Sequence, residues 1–312
     1  MIGGENTSKA FQAALMGRET ESRFCRPSYV LSIDVEDWFH ILYLDNGFSL
    51  DAWSALPSRV EHNFYRLLDL LSGHGATATM FFLGWIAERF PHLVRDAQAR
   101  GHEIGSHSYA HRLVYTMTPA EFVADTARAR SLLQDIGGEP VAGYRAPGFS
   151  VTADTPWFFE RLVETGHTYD SSVFPARRGH GGLPSAQRAP WVVATPGGGL
   201  LELPVSVAEV LGQRVCFFGG GYLRLFPISA IRAMAERVHA QGLPVIFYLH
   251  PRDIDPAQPR LALPLRQRFK CYVNLDTTFG KLQKLVSTFP FISVRDYLMR
   301  ASADGQEVTV CE

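Results

Sequence analysis

Apolar positions along this chain fall into two alternating periods. Short, almost continuously apolar runs recur: "SYVLSIDV", "ATATMFFLG", "HEIGSHS", "VAGYRAP", "HTYDSS", "LLELPVSV" and "PVIFYLH". Their length and β-branched content predict buried strands. Between them lie segments with apolar residues at helical spacing, among them "SRVEHNFYRLLDLLSGHG", "WIAERFPHLVRDAQARG", "TPWFFERLVETG" and "SAIRAMAERVHAQG". "TPAEFVADTARARSLLQDIGG" opens with Thr118, carries Glu121 three residues later and ends in Gly-Gly, the signature of a capping box and a glycine stop. "TTFGKLQKLVSTF" and "FISVRDYLMR" finish the pattern as helix, short strand and helix. Strand and helix alternate as in βα units, which predicts an α/β fold with a parallel sheet. Polar residues gather at the carboxyl ends of successive strands, which favours a (β/α) barrel over an open sheet.

The pattern divides the chain into an extension over residues 1–27, a barrel over 28–300 and a tail over 301–312. Residues 175–200 read as an irregular glycine- and proline-rich tract, and "FFGGGYLR" as a loop whose backbone approaches a neighbour closely. The 312 residues suit one barrel of roughly 250 residues with extensions. A net charge of −1 recruits neither nucleic acid nor an anionic membrane. The four cysteines, Cys25, Cys216, Cys271 and Cys311, are too scattered for a zinc ribbon or disulfide framework. No run of about 18 apolar residues predicts a transmembrane helix, and the amino terminus lacks the apolar core of a secretion signal. The expectation is a soluble, cytoplasmic protein. No dinucleotide or phosphate-loop glycine motif is present.

Four strand ends carry reactive groups. "IDVEDW" crowds Asp34, Glu36 and Asp37, which repel one another unless a cation or arginine neutralises them. "GHEIGSHSYAH" sets His107 and His111 four residues apart, one helical turn, so that both imidazoles face one point. Two histidines and a carboxylate leave a tetrahedral cation one open position, as hydrolytic sites require. "GYRAPGF" places Arg145 at the end of an apolar strand, where it needs a carboxylate such as Asp34. "PVIFYLH" ends in His250, a candidate proton donor. Aromatic residues lie near these motifs, and Trp38, Phe149 and Tyr222 are candidates for stacking on sugar rings.

In this order, the acidic strand end, "SHSYAH", "YRAPGF", "YDSSVFP" and "FYLHP" resemble the polysaccharide deacetylases of the NodB-homology family, over roughly residues 28 to 300. The resemblance implies a distorted (β/α) barrel that removes N-acetyl groups from amino sugars with a divalent metal, commonly zinc. It implies Asp34 as catalytic base, His107 and His111 as metal ligands, Arg145 as the residue orienting the base, and His250 as catalytic acid. "SIDVEDWFH", "GGGYLRLFP" and "FYLHPRDID" further resemble the subgroup found with exopolysaccharide export and exosortase loci. Many family members have two adjacent aspartates in the first motif. Here Val35 follows Asp34, so the third ligand is Glu36, on the same side of an extended strand, or Asp37, reached through a tight turn. The implied partner is an N-acetylated carbohydrate polymer or oligomer. A small-molecule amidohydrolase and a non-catalytic sugar-binding barrel are the rival readings.

Overall fold

The computed structural model describes residues 27–42, 49–179 and 181–303. Most of the expected amino-terminal extension and the end of the carboxyl-terminal tail, with Cys25 and Cys311, lie outside the described residues. Eleven strands are present among those described: β1 (Tyr29–Val35), β2 (Thr79–Phe82), β3 (Glu103–Ser106), β4 (Gly143–Tyr144), β5 (Tyr169–Asp170), β6 (Trp191–Thr195), β7 (Gly198–Glu202), β8 (Ala208–Val210), β9 (Gln213–Val215), β10 (Val245–Leu249) and β11 (Phe291–Ile292). The main sheet runs β10-β1-β2-β3-β4-β5-β7-β6, with β11 also paired to β1. Every pairing in it is parallel except the β6–β7 hairpin.

The period of two along β1 sorts its side chains between two environments. Leu31, Ile33 and Val35 pack outward against Phe64, Leu67 and Leu71 of the helix Val60–Ser72. Val30 lies in a separate inner cluster with Phe81, Tyr169 and Ile246, and Ser32 and Asp34 share its face. Among the described residues, no backbone ladder joins the last strands of the sheet back to β10. Side chains and a single bridge close that seam. The Ser206 hydroxyl donates to Pro244 O at 3.0 Å and accepts from Ile246 N at 2.8 Å, and Gly219 bridges to Tyr248. The expected barrel is thus present in distorted form.

Thr118 and Glu121 form the expected capping box, and Gly138 ends that helix at φ 73° with its N–H on Gln134 O. Other elements differ from expectation. "WIAERFPHLVRDAQARG" is two helices, Gly84–Arg89 and Pro91–Ala99, because Pro91 cannot donate into a continuing helix and restricts Phe90. The tract 175–200 contains β6 and leads into a hairpin turned at Pro196–Gly197. The glycine-rich run is a short helix, Gly220–Leu225, rather than a loop. The close approach expected there is real: a Cβ on Gly219 would lie 2.4 Å from the Tyr248 ring. Cys216 and Cys271 are buried free thiols. No described helix is long and apolar enough to cross a membrane.

His167, just before β5, gives the fold a measurable acid sensitivity. Its Nδ1 lies 2.9 Å from the Thr165 hydroxyl, which itself donates to Leu162 O, so the ring must donate and Nε2 stays unprotonated and unpartnered. Burial, with Arg130 nearby, pushes its pKa down to about 3. The unfolded ring takes a proton near pH 6.5 and the folded ring does not, so stability is full above that pH and declines as pH falls toward 3. His167→Asn keeps a donor for Thr165 and removes the titration. Between pH 7 and pH 5 the wild type should lose about 2 kcal/mol more than this variant, read from urea midpoints. Parallel losses would contradict the assignment.

Candidate active site

The inward face of β1 delivers the first groups. Ser32 and Asp34 point into the barrel, and the strand ends in a tight turn in which Glu36 N–H donates to Asp34 O at 3.0 Å. That turn carries the Glu36 carboxylate back over the barrel mouth. Asp37, the other candidate ligand, goes elsewhere. Its oxygens accept from Trp38 N at 2.8 Å, the Ser58 hydroxyl at 2.6 Å, Arg59 N at 3.0 Å and Val60 N at 3.3 Å. It caps the turn Trp38–His40 and, from a distance, the amino end of the helix Val60–Ser72. A carboxylate satisfied by four donors has no reason to face a cation, so Asp37 is a structural cap.

His107 and His111 converge, but not on a helical turn. Ser108 and His111 have φ of 64° and 53°, left-handed values in a loop. The Asp125 carboxylate holds that loop through Tyr109 N at 2.8 Å and Ala110 N at 3.1 Å. His107 Nδ1 lies 2.8 Å from Arg145 O; a carbonyl can only accept, so Nδ1 carries the proton and Nε2 presents its lone pair. Burial pushes the His107 pKa down to about 4, despite nearby Asp34, which keeps that lone pair free at neutral pH. Glu36, His107 and His111 each offer a ligand atom, all within 4.8 Å of one another. Glu36 Oε2 has no hydrogen-bond donor and lies 3.0 Å from His111 Nε2. A buried carboxylate oxygen without a donor, beside imidazole lone pairs, fits a cation. Burial alone would raise the Glu36 pKa, but His111, His250 and Arg252 hold it well below the usual range, so it is an anion.

Arg145 is fully buried, and all three of its side-chain nitrogens donate hydrogen bonds. Nη1 donates to Asp34 Oδ1 at 2.9 Å and to the Ser32 hydroxyl at 2.6 Å, while Nε and Nη2 donate to Ser171 O and its hydroxyl. Burial would raise the Asp34 pKa; Arg145, with His107 and His250, instead holds it below its ordinary value. The Ser171–Ser172 step is fixed in turn by Asp170 and Glu202. The Ser172 hydroxyl donates to Asp170 Oδ1 at 2.5 Å, and Val173 N donates to Glu202 Oε1 at 3.0 Å. Burial raises the pKa of both acids, Asp170 to about 6, as expected for two buried carboxyls sharing a proton.

His250 leaves β10 with Nε2 2.9 Å from Glu36 Oε1 and 3.8 Å from Asp34 Oδ2. Its Nδ1 lies 2.9 Å from Asp253 Oδ2, and Asp253 is ion-paired to Arg224. Gly220 makes room for this carboxylate, since a Cβ there would lie 1.8 Å from Asp253 Oδ2. Burial lowers the His250 pKa against the opposing pull of Glu36.

Asp34, Glu36, His107, His111 and His250 line one cleft of about 390 Å³, which Phe149 and Tyr222 also line. Trp38 does not. It is buried with Phe39, its Nε1 donating to Pro57 O at 3.0 Å, so it belongs to the core and is withdrawn as a sugar platform. Sequence reasoning overlooked His40, which also lines the cleft. Its Nδ1 accepts from Asp37 N at 2.9 Å, so Nε2 is a buried donor without a partner. It overlooked Asp253 as the partner of His250 as well, although the i,i+3 spacing in "HPRD" was a usable signal.

Two spans of the chain match known protein families. A family model described as "Polysaccharide deacetylase" matches residues 48–169, and a "Domain of unknown function (DUF3473)" matches residues 171–299. The first span holds His107, His111 and Arg145, the second His250; Asp34 and Glu36 lie upstream of both. A peptidoglycan-N-acetylglucosamine deacetylase of Bacillus cereus is 31% identical over 100 residues, 32% of this chain and 37% of that protein. A peptidoglycan deacetylase of Helicobacter pylori is 31% identical over 108 residues, covering 35% and 36%. A chitin deacetylase of a Pestalotiopsis species is 34% identical over 90 residues, covering 28% and 30%. The chain thus spans about a third of the length of the curated relatives it matches. A putative polysaccharide deacetylase from Mycobacterium smegmatis shares the fold at TM-score 0.60 and 19% identity, over 91% of this chain and 94% of that one. Puue allantoinase shares it at 0.56 and 17%, over 88% and 90%. Residues 48–169 thus match the polysaccharide deacetylase family, and the DUF3473 match follows directly after them.

Proposed function

We propose that the protein is a metal-dependent hydrolase that removes N-acetyl groups from N-acetylhexosamine units of a polysaccharide or oligosaccharide precursor. The observation that carries this reading is the meeting, in one cleft, of three ligand atoms with a separate Arg145-paired carboxylate and a separate Asp253-paired histidine. The names of the matched relatives, deacetylases of peptidoglycan and chitin, supply the substrate class. The resemblance to an exopolysaccharide-associated subgroup supports an exopolysaccharide as the polymer.

Glu36, His107 and His111 would hold the ion, and zinc suits two imidazoles and one carboxylate. When bound it supplies Lewis-acid chemistry, polarising the acetyl carbonyl and acidifying water. The chain's own residues perform the proton transfers. Asp34, kept ionised and fixed in orientation by Arg145, accepts the proton of the attacking water. An amine leaves poorly unless protonated as it departs. His250 supplies that proton from Nε2, while Nδ1 is held by Asp253. Both ring nitrogens face carboxylates, which suits the protonated ring, and the lowered pKa makes that ring the stronger acid. Phe149 and Tyr222 offer apolar surface to a sugar ring.

Elemental analysis separates the acids at the end of β1. Glu36→Gln and His107→Ala should lose the ion while the fold survives, because a hydrolytic site is not a structural staple. Asp37→Asn should keep the ion but lose about 1–2 kcal/mol of stability with its cap. Ion retained in Glu36→Gln, or lost in Asp37→Asn, would reverse the assignment.

Acetate release from N-acetylglucosamine oligomers by the zinc-loaded protein tests the reaction itself. Asp34→Asn should keep the ion and lose roughly 10²–10⁴ in turnover. His250→Ala should lose a similar factor on the amide but less on an O-acetyl ester, whose alkoxide leaves more readily. Equal losses on ester and amide would make His250 a positioning residue, and no acetate from any N-acetylated glycan would overturn the reading.

A further inference from the structure

The cleft carries more positive charge than the proposed chemistry uses. Asp34 answers Arg145, Asp253 answers Arg224, and Glu36 belongs to the cation-binding group. Arg177, Arg178 and Arg252 also line the cleft. Among the described residues no carboxylate lies within ion-pair distance of Arg177 or Arg178. The acid nearest Arg252 is Glu36, at 3.6 Å, which a bound cation would already engage.

Two guanidinium donors in this lining, Arg178 Nη1 and Arg252 Nε, are buried with no hydrogen-bond partner. A buried donor left unpaired is costly, more so on a charged group. The Arg178 guanidinium lies 4.9 Å from the centre of the Phe149 ring and 5.0 Å from that of Phe174. Its loop is pressed against the cleft by Gly181, at φ 70°, where a Cβ would lie 2.2 Å from Phe149 O. Arg252 sits on the short turn Pro251–Ile254 directly after His250, its carbonyl accepting from Gln258 Nε2 at 2.7 Å. Held guanidinium forks of this kind match the oxygens of a carboxylate or phosphate.

We propose that the substrate is an anionic glycan, with a carboxylate or phosphate close to the N-acetylated sugar, and that Arg178 and Arg252 bind that oxyanion. This rests on the deacetylase reading for the reaction, but the anion site itself is a matter of binding. The unpartnered donors are then satisfied when substrate arrives. A neutral N-acetylated oligomer offers them only hydroxyl and carbonyl acceptors, so the site favours an oxyanion, whose charge-assisted bonds are stronger.

The test uses the full, zinc-loaded chain and three ligands: a neutral N-acetylglucosamine oligomer, an oligomer alternating N-acetylglucosamine with a uronic acid, and N-acetylglucosamine linked through pyrophosphate to a short prenyl chain. Binding by calorimetry and acetate release are read separately. At low salt at least one anionic ligand should be preferred over the neutral one by about tenfold or more, and the preference should shrink as salt rises. The arm that responds identifies carboxylate or phosphate. Arg178→Met should reduce that preference by about tenfold, and its effect on the anionic ligand should exceed its effect on the neutral oligomer. The same loss on neutral and anionic ligands, or equal binding of all three by the wild type, would overturn the proposal. A binding preference without acetate release from any arm would sink the deacetylase reading and leave the anion site standing. Acetate release without a preference would do the reverse.

Discussion

A guanidinium with no exposed surface must find all of its hydrogen-bond acceptors inside the protein, and Arg145 organises the barrel mouth by that requirement. Its side chain joins β1, through Ser32 and Asp34, to the segment after β5, through Ser171, and it stands over the Phe81 ring of β2 at 4.3 Å. Its backbone carbonyl receives the Nδ1 proton of His107. One residue therefore sets the charge and aim of the proposed base and the tautomer of a proposed metal ligand. Removing one partner of such a buried pair leaves an uncompensated charge, which costs about 3–5 kcal/mol.

The pocket places two carboxylates of different character side by side. Asp34 is neutralised by an arginine, whereas Glu36 Oε2 has only the His111 ring nitrogen beside it, at 3.0 Å. The same burial acts on both, yet of the two only Glu36 has a fully buried oxygen without a hydrogen-bond partner. Asp37, one residue further on, is satisfied by backbone and hydroxyl donors and caps a helix. Three adjacent acids thus avoid mutual repulsion by having three kinds of partner.

Much of this was legible from apolar runs that end in reactive side chains. The capping box at Thr118, the parallel α/β alternation and the convergence of Asp34, His107, His111, Arg145 and His250 at one rim all follow from local pattern plus the barrel rule that sites sit at strand ends. What was not legible depended on distant contacts. Local spacing allows either Glu36 or Asp37, and the choice is made by Ser58, Arg59 and Val60, some twenty residues away. The left-handed turns at Ser108 and His111 carry no glycine to announce them and are imposed by Asp125. Trp38 follows the acids in sequence, but the turn that brings the buried Glu36 carboxylate to the cleft drives the indole into the core. The β6–β7 hairpin was hidden in a tract whose composition suggested irregular chain.

The central claim is that one divalent ion sits among Glu36, His107 and His111 and that Asp34 is left outside its coordination. Anomalous diffraction at the zinc edge from crystals of the zinc-loaded protein tests it most directly. The account predicts one peak, about 2.0–2.2 Å from a Glu36 oxygen and from Nε2 of His107, with His111 as third ligand. Asp34 should remain on Arg145. A peak ligated by Asp34 or Asp37, or no ordered peak in this cleft, would contradict the account.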